Sequence, residues 1–184
     1  MKNFLNPLCW LVLLVTLLSS CGSSMHLGTA AGPTTVYIVR HAEKDPTPGL
    51  ADPALTEVGQ KRAQALREEL VKAPRPVAMV FSTNTIRTRT TAVPLATQLQ
   101  IPVEVYDARQ LPKLASRIRR EYPGKAVLVV GHSNTILETA EALGAKRPVP
   151  AVGDNDYNYL LEVTVPRDST KASTAVARRY GAGK

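Results

Sequence analysis

The sequence predicts an α/β fold: a three-layer sandwich of helices around a mostly parallel sheet, with an antiparallel edge strand at the C-terminus. Three observations predict it. Short apolar runs alternate with amphipathic helical patterns along the chain. The runs are nearly free of polar residues, as strands covered on both faces must be. Only the last two strand-like stretches are joined by a short turn, Pro166-Arg167-Asp168-Ser169, instead of a helix.

Val36-Tyr37-Ile38-Val39 is the first run. A loop rich in Pro, Gly and Asp follows, from Asp45 to Pro53. Thr56 reads as an N-cap, with Glu57 in the first turn of a helix. Gly59, Ala63, Leu66 and Leu70 recur at helical spacing and place one face on the core; Lys61, Arg62, Glu68 and Glu69 fall on other faces. Pro74 and Pro76 end that helix. Val77 to Phe81 is the second strand. After a turn rich in Thr and Arg, Ala92, Leu95, Ala96 and Leu99 mark a second helix. Pro94 suits a first turn or a kink better than a helix interior. Val103 to Tyr106 forms a third strand, and Leu111, Leu114, Ala115 and Ile118 a third helical face. Ala126 to Val130, between Gly124 and Gly131, is the most apolar run after the N-terminal region. Thr135 and Glu138 have the spacing of a capping box for the next helix. Tyr159 to Val165 and Ala172 to Tyr180 complete the pattern as strands.

The N-terminus has a separate logic. Lys2 precedes an almost unbroken apolar run, Leu8 to Leu18, and Ser19-Ser20-Cys21-Gly22 follows. A positive start, an apolar stretch of about 7–15 residues and small residues describe an export signal, not a membrane span. Leu18-Ser19-Ser20-Cys21 also resembles the lipobox of bacterial lipoproteins. That resemblance implies cleavage before Cys21, acylation of Cys21, and an address in the bacterial envelope; Gly22 after the Cys implies the outer membrane, facing the periplasm. The expected organisation is a signal over residues 1–20, a flexible tether over 21–33 and one domain over 34–184. The tether, which contains His26, has a reach of about 20 Å.

Of the two cysteines, Cys9 lies in the signal, so the mature chain keeps Cys21 alone and forms no internal disulfide. Removal of Lys2 leaves 22 Lys and Arg against 15 Asp and Glu, a net of +7. This suits an anionic partner, such as a phosphorylated substrate. No basic stripe interleaved with aromatics is present, so nucleic acid is not an expected partner.

Ligands of open α/β sheets bind at the carboxyl ends of the strands. Three polar clusters stand there. Arg40-His41 follows the first strand, Ser82 to Thr91 with Arg87 and Arg89 the second, and Gly131-His132-Ser133-Asn134 the most apolar one.

These clusters carry a family resemblance. Val39-Arg40-His41-Ala42-Glu43-Lys44 resembles the opening motif of the histidine phosphatase superfamily, the phosphoglycerate-mutase-like proteins. Leu55-Thr56-Glu57-Val58-Gly59-Gln60-Lys61-Arg62-Ala63 is similar to its first helix. Ser82 through Arg87-Thr88-Arg89-Thr90-Thr91-Ala92 resembles its second arginine motif, and Val129-Val130-Gly131-His132-Ser133-Asn134 its second histidine motif. The four stand in family order over residues 35 to 180. The resemblance implies that His41 is the nucleophile, that Arg40 and Arg87 bind phosphate, and that His132 stands beside the phosphoryl group. Arg89, two residues beyond Arg87, points elsewhere on a helix. The compact spacing between Arg87 and His132 makes the chain similar to the protein-phosphohistidine phosphatases, with little room for a substrate cap.

The residue types suit the chemistry. Phosphoryl transfer needs in-line positioning and stabilisation of charge on the equatorial oxygens. Guanidinium forks provide both and stay charged. A neutral imidazole nitrogen is a competent nucleophile, kept neutral by neighbouring cations. A helix start after His132 would add amide donors. No metal and no cofactor are expected, since no ligand cluster is spaced for one. Many family members place a Glu after the third strand as proton donor. Here the nearest match is Asp107, with Glu43, Asp154 and Asp156 as further candidates. Such a donor contributes about 10²–10⁴-fold, and less where the leaving group is itself good.

Two other functions compete. A phosphomutase starts from the same phosphohistidine, but the missing cap and the envelope address speak against it. A non-catalytic lipoprotein that holds a phosphorylated ligand would not need His41. A nucleotide-binding domain lacks its glycine-rich motif after the first strand. The expected partners are a phosphorylated small molecule, glycan or protein, and a membrane through the lipid anchor.

Overall fold

A computed structural model describes residues 32–181. The expected export signal, the expected acylation site at Cys21 and nearly all of the expected tether lie outside the described residues.

The alternation of apolar runs and helical patterns becomes ten elements. They are β1 (Thr34–Arg40), α1 (Glu57–Val71), β2 (Val77–Ser82), α2 (Ile86–Leu99), β3 (Val103–Val105), α3 (Leu111–Glu121), β4 (Ala126–Gly131), α4 (Ile136–Ala142), β5 (Tyr159–Val165) and β6 (Thr174–Arg179). The strands form one sheet in the order β3-β2-β4-β1-β5-β6. β3, β2, β4 and β1 are parallel neighbours; β5 runs antiparallel to β1, and β6 antiparallel to β5.

Alternation along each strand sends successive side chains to opposite faces. Val36, Ile38, Phe81, Val127 and Val129 meet Leu114, Ile118, Ile136 and Leu137 of α3 and α4 on one face. Tyr37, Val39, Val80, Leu128 and Val130 meet Leu66, Leu70, Ala92 and Leu95 of α1 and α2 on the other. Both faces are covered, hence the unbroken apolar character of β4.

Thr56 caps α1 as expected, its hydroxyl accepting from Gly59 N at 3.1 Å. Gly59 is required for a steric reason: a Cβ there would collide with the Glu43 carbonyl.

Four local expectations are corrected. Arg62 belongs to no solvent face; it is 8% exposed and binds Glu43. Pro94 sits inside α2. Its missing N–H deprives only the carbonyl of Thr90, an exposed residue, so the helix continues. β3 stops at Val105, although Tyr106 N still bonds Ser82 O at 3.0 Å. Thr135 and Glu138 form no capping box. The Thr135 hydroxyl instead accepts from His132 N at 2.9 Å, and Glu138 pairs with Arg147.

Candidate active site

The parallel strands end together, so β1, β2 and β4 deliver Arg40-His41, Ser82-Thr83 and Gly131-His132 to one edge of the sheet. The backbone locks the register, with His41 N bonded to Gly131 O at 2.9 Å. The His41 and His132 rings meet edge to face with centroids 5.5 Å apart.

His41 is 4% exposed. Its Nδ1 lies 2.7 Å from its neighbour's carbonyl, Ala42 O. A carbonyl only accepts, so Nδ1 carries the proton and Nε2 keeps its lone pair. Ala42 N in turn donates to Thr91 Oγ1 on α2 at 2.9 Å, which fixes the turn. Burial above all, then the charges of Arg40 and Arg87 and the His132 ring, pushes the His41 pKa down to about 3, against the opposing bond to Ala42. The ring is therefore a neutral base at neutral pH. His132 is shifted downward for the same reasons: burial first, then Arg87 and Arg40, with Asp52 opposing. Its Nε2 lies 2.8 Å from Thr83 Oγ1, whose hydroxyl also reaches Thr88 Oγ1 at 3.0 Å.

The arginines approach from separate elements. Arg40 is 5% exposed; its Nη1 donates to Gly153 O at 3.0 Å and Asp154 O at 2.8 Å. Its guanidinium lies 4.1 Å from the Tyr157 ring centroid. Arg87, in the first turn of α2, bonds Asp52 at 3.2 Å. The Asp52 carboxylate also accepts from Ile86 N at the start of α2. Arg40 Nε and Arg87 Nε are both buried with no hydrogen-bond partner. Two guanidiniums and two histidine rings thus converge, with unused guanidinium donors suited to an anionic group.

His41, His132, Arg40 and Arg87 are brought together as the spacing implied. Arg89 points away and bonds Asn84 at 3.0 Å. Asp107 lines a groove of ≈ 470 Å³ with Thr83, Tyr106, Arg109 and His132. However, its carboxylate accepts from Arg109 N, Nε and Nη2 at 2.9–3.1 Å. These bonds hold its pKa below the usual carboxylate range, the reverse of what a proton donor at neutral pH requires. Asp156 is likewise held low by Gly153 N and Arg179. Glu43 is engaged by Arg62, and Asp154 contributes its carbonyl to Arg40.

Sequence reasoning assigned no role to Asp52, Thr83, Thr91 or Tyr157. The one available signal was the place of Asp52, Thr83 and Tyr157 in the loops after β1 and β2 and before β5, and of Thr91 in the helix that follows β2.

The neutral His41 has a consequence for folding. Unfolded, the imidazole titrates near 6.5; folded, near 3. Between these values only the unfolded chain binds the proton, so this group's contribution falls as pH drops through that window. We expect acid destabilisation between pH 6.5 and 4 on the order of 1 kcal/mol per pH unit from His41. Urea unfolding of wild type and His41→Gln across this range measures it. Parallel slopes for the two proteins would contradict a buried neutral His41.

Comparison with known proteins agrees with this geometry. Residues 36–110 match the family model of the histidine phosphatase superfamily (branch 1). No curated protein matches the chain. Among solved structures, the chain is similar to the protein histidine phosphatase SixA complexed with tungstate, at 16% identity and a TM-score of 0.61, covering 79% of this chain and 95% of that one. It is also similar to a mycobacterial glucosyl-3-phosphoglycerate phosphatase, at 16% identity and a TM-score of 0.60, covering 82% and 100%. A third is mycobacterial hydrolase 2, at 16% identity and 0.61, covering 83% and 94%. At such identities these likenesses speak to the fold.

Proposed function

We propose that the chain is a phosphatase of the histidine phosphatase superfamily, whose family model matches residues 36–110, and that it hydrolyses a phosphorylated envelope substrate through a phosphohistidine on His41. The observation that carries the reading is the bond from His41 Nδ1 to Ala42 O, which aims an unprotonated Nε2 into a site flanked by Arg40 and Arg87. In the first step Nε2 forms a bond to phosphorus as the bond to the leaving oxygen or nitrogen breaks, and the leaving group takes up a proton. In the second, water attacks the phosphoramidate; its oxygen bonds phosphorus, its proton is released, and Nε2 leaves with its lone pair. Arg40 and Arg87 offset charge on the equatorial oxygens throughout.

With Asp107 and Asp156 held ionised, substrates whose leaving groups need little protonation are favoured. A phosphohistidine or phosphoanhydride is one such group. One named relative, a protein histidine phosphatase, supports this preference. A panel of phosphorylated small molecules, glycans and proteins, compared by kcat/KM, tests it.

The reading needs no metal. Among the described residues no group of three or more His, Cys, Asp or Glu is placed to hold one. Hydrolysis is expected to survive EDTA, and vanadate, a mimic of five-coordinate phosphorus, to inhibit. Activity lost to EDTA and restored by a divalent ion would assign the hydrolysis to a metallophosphatase.

The address is part of the proposal. The Leu18-Ser19-Ser20-Cys21 motif supports a lipid-anchored protein of the bacterial envelope. Cys21→Ala is expected to leave the protein unprocessed or to release it from the membrane fraction. A variant that fractionates and migrates like the wild type rules the anchor out. Stable attachment needs more than one acyl chain, as lipoproteins carry.

A further inference from the structure

The pole of the domain opposite His41 gathers cations from several elements. There β1 begins at Thr34, paired with Val165 at the end of β5. Arg75 Nη1 donates to Pro33 O at 2.6 Å and Gly124 O at 3.0 Å. Lys125 stands beside them, its carbonyl accepting from Thr35 N at 2.9 Å. Arg119 and Arg167 line a hollow of ≈ 120 Å³ with Thr34, Pro123 and Ser169. Lys171 lies in the same β5–β6 turn as Arg167.

None of these five cations has a carboxylate partner among the described residues. Elsewhere the arginines are largely neutralised: Arg109, Arg117, Arg147, Arg178 and Arg179 each meet a carboxylate. Two acids lie near the pole. Glu121 is paired with Arg117 and Arg120; Asp168, tied to Thr170 N and Oγ1, stays a single negative charge against the five cations.

We propose that this pole seats on an anionic phospholipid surface. Charge complementarity gives the chemistry, since clustered Lys and Arg without acidic partners are drawn to phosphate headgroups. Chain continuity favours lipid over other polyanions. Residues 1–31, with the apolar Leu8–Leu18 run and Cys21, join the domain at this pole. A chain held at its N-terminus would keep these cations within a few Debye lengths of the lipid, each about 8–10 Å. The seat orients the enzyme: His41 lies at the far end of β1, roughly 20 Å away at about 3.3 Å per strand residue, and faces away from the bilayer. Phosphates carried in soluble molecules or on protruding chains then reach the site, and headgroups beneath the pole do not.

The inference borrows from the lipoprotein reading only the end of the chain that is anchored, so the test omits the anchor. Residues 31–184 form one compact unit that contains all ten elements and both core clusters. This unit is sedimented with vesicles of phosphatidylcholine alone or with one-third phosphatidylglycerol, at low ionic strength. Binding to the anionic vesicles only, abolished by 0.5 M salt, is expected. Arg167→Glu with Lys171→Glu, both in an exposed turn, should weaken that binding at least tenfold, each lost cation counting roughly fivefold. Hydrolysis by the variant should equal wild type, because the turn is remote from His41. Lys61→Glu with Lys113→Glu, near the starts of α1 and α3, changes the net charge equally, serves as the control and should bind nearly as wild type. Equal binding to neutral vesicles, no binding to anionic ones, an unaffected double variant, or pelleting with peptidoglycan in preference to vesicles overturns the proposal. Loss of hydrolysis with intact vesicle binding would speak against the catalytic reading alone.

Discussion

His41→Ala is expected to abolish turnover and, with it, a phosphate that rapid alkaline quenching traps on the wild-type protein. The label should be acid-labile, as a phosphoramidate is, and should map to the peptide containing His41. Nothing else in the site can substitute. His132 is the other imidazole, but its Nε2 is engaged by Thr83, and Arg40 and Arg87 are guanidiniums that keep their protons. Removing Arg87 acts differently. Arg87→Ala takes away one charge-assisted fork, worth about 1.5–3 kcal/mol or more, so transfer slows and binding weakens while label still accumulates on His41. His132→Ala should lower turnover and leave slow phosphorylation of His41. Intact mass after quenching, followed by peptide mapping, separates these outcomes. Label on His132, or full activity in His41→Ala, would overturn the assignment of roles.

Glu43→Ala is expected to be the most destabilising single truncation near the site. Arg62 reaches both Glu43 oxygens from Nε at 2.9 Å and one of them from Nη2 at 2.6 Å. The arginine is 8% exposed and also donates to Tyr180 O at 3.3 Å, so the pair ties the loop after His41 to α1 and to the end of β6. Removing one partner of a buried pair costs about 3–5 kcal/mol. The Glu43 side chain is one-fifth exposed, which favours the lower part of that range. The backbone of Glu43 accepts from Thr56 N at 2.9 Å, so the α1 cap should loosen too. Urea midpoints measure the loss, and the milder Glu43→Gln should recover part of it by keeping the accepting oxygen. A loss under about 1 kcal/mol for the alanine variant would mean that Arg62 is adequately satisfied without this carboxylate.

Both results bear on how the site is written into the chain. The strand-end positions of Arg40, His41, Arg87 and His132 were legible because apolar runs and the polar clusters that terminate them are local features. A parallel sheet then brings such ends to one edge, whatever the order of its strands. The α1 cap at Thr56 was readable for the same reason, as was the antiparallel C-terminal pair, which a short turn joins.

Tertiary contacts decided the rest. No local pattern distinguishes Arg62 from Lys61; its burial follows from a carboxylate 19 residues away that the loop after β1 brings beneath α1. The protonation of Asp107 turns on whether Arg109 folds back onto it, and this sets the carboxylate low where a proton donor would need to be held high. Arg40 meets backbone carbonyls 113 and 114 residues further along, a pairing that periodicity cannot anticipate. The neutrality of His41 has the same origin. The residue type supplies a group that titrates near 6.5; only burial among Arg40, Arg87 and His132, with one nitrogen tied to Ala42 O, keeps it neutral across the physiological range. The sequence determined which groups arrive at the edge of the sheet. The packing around them determined their charge, because desolvation and neighbouring ions act through space and not along the chain.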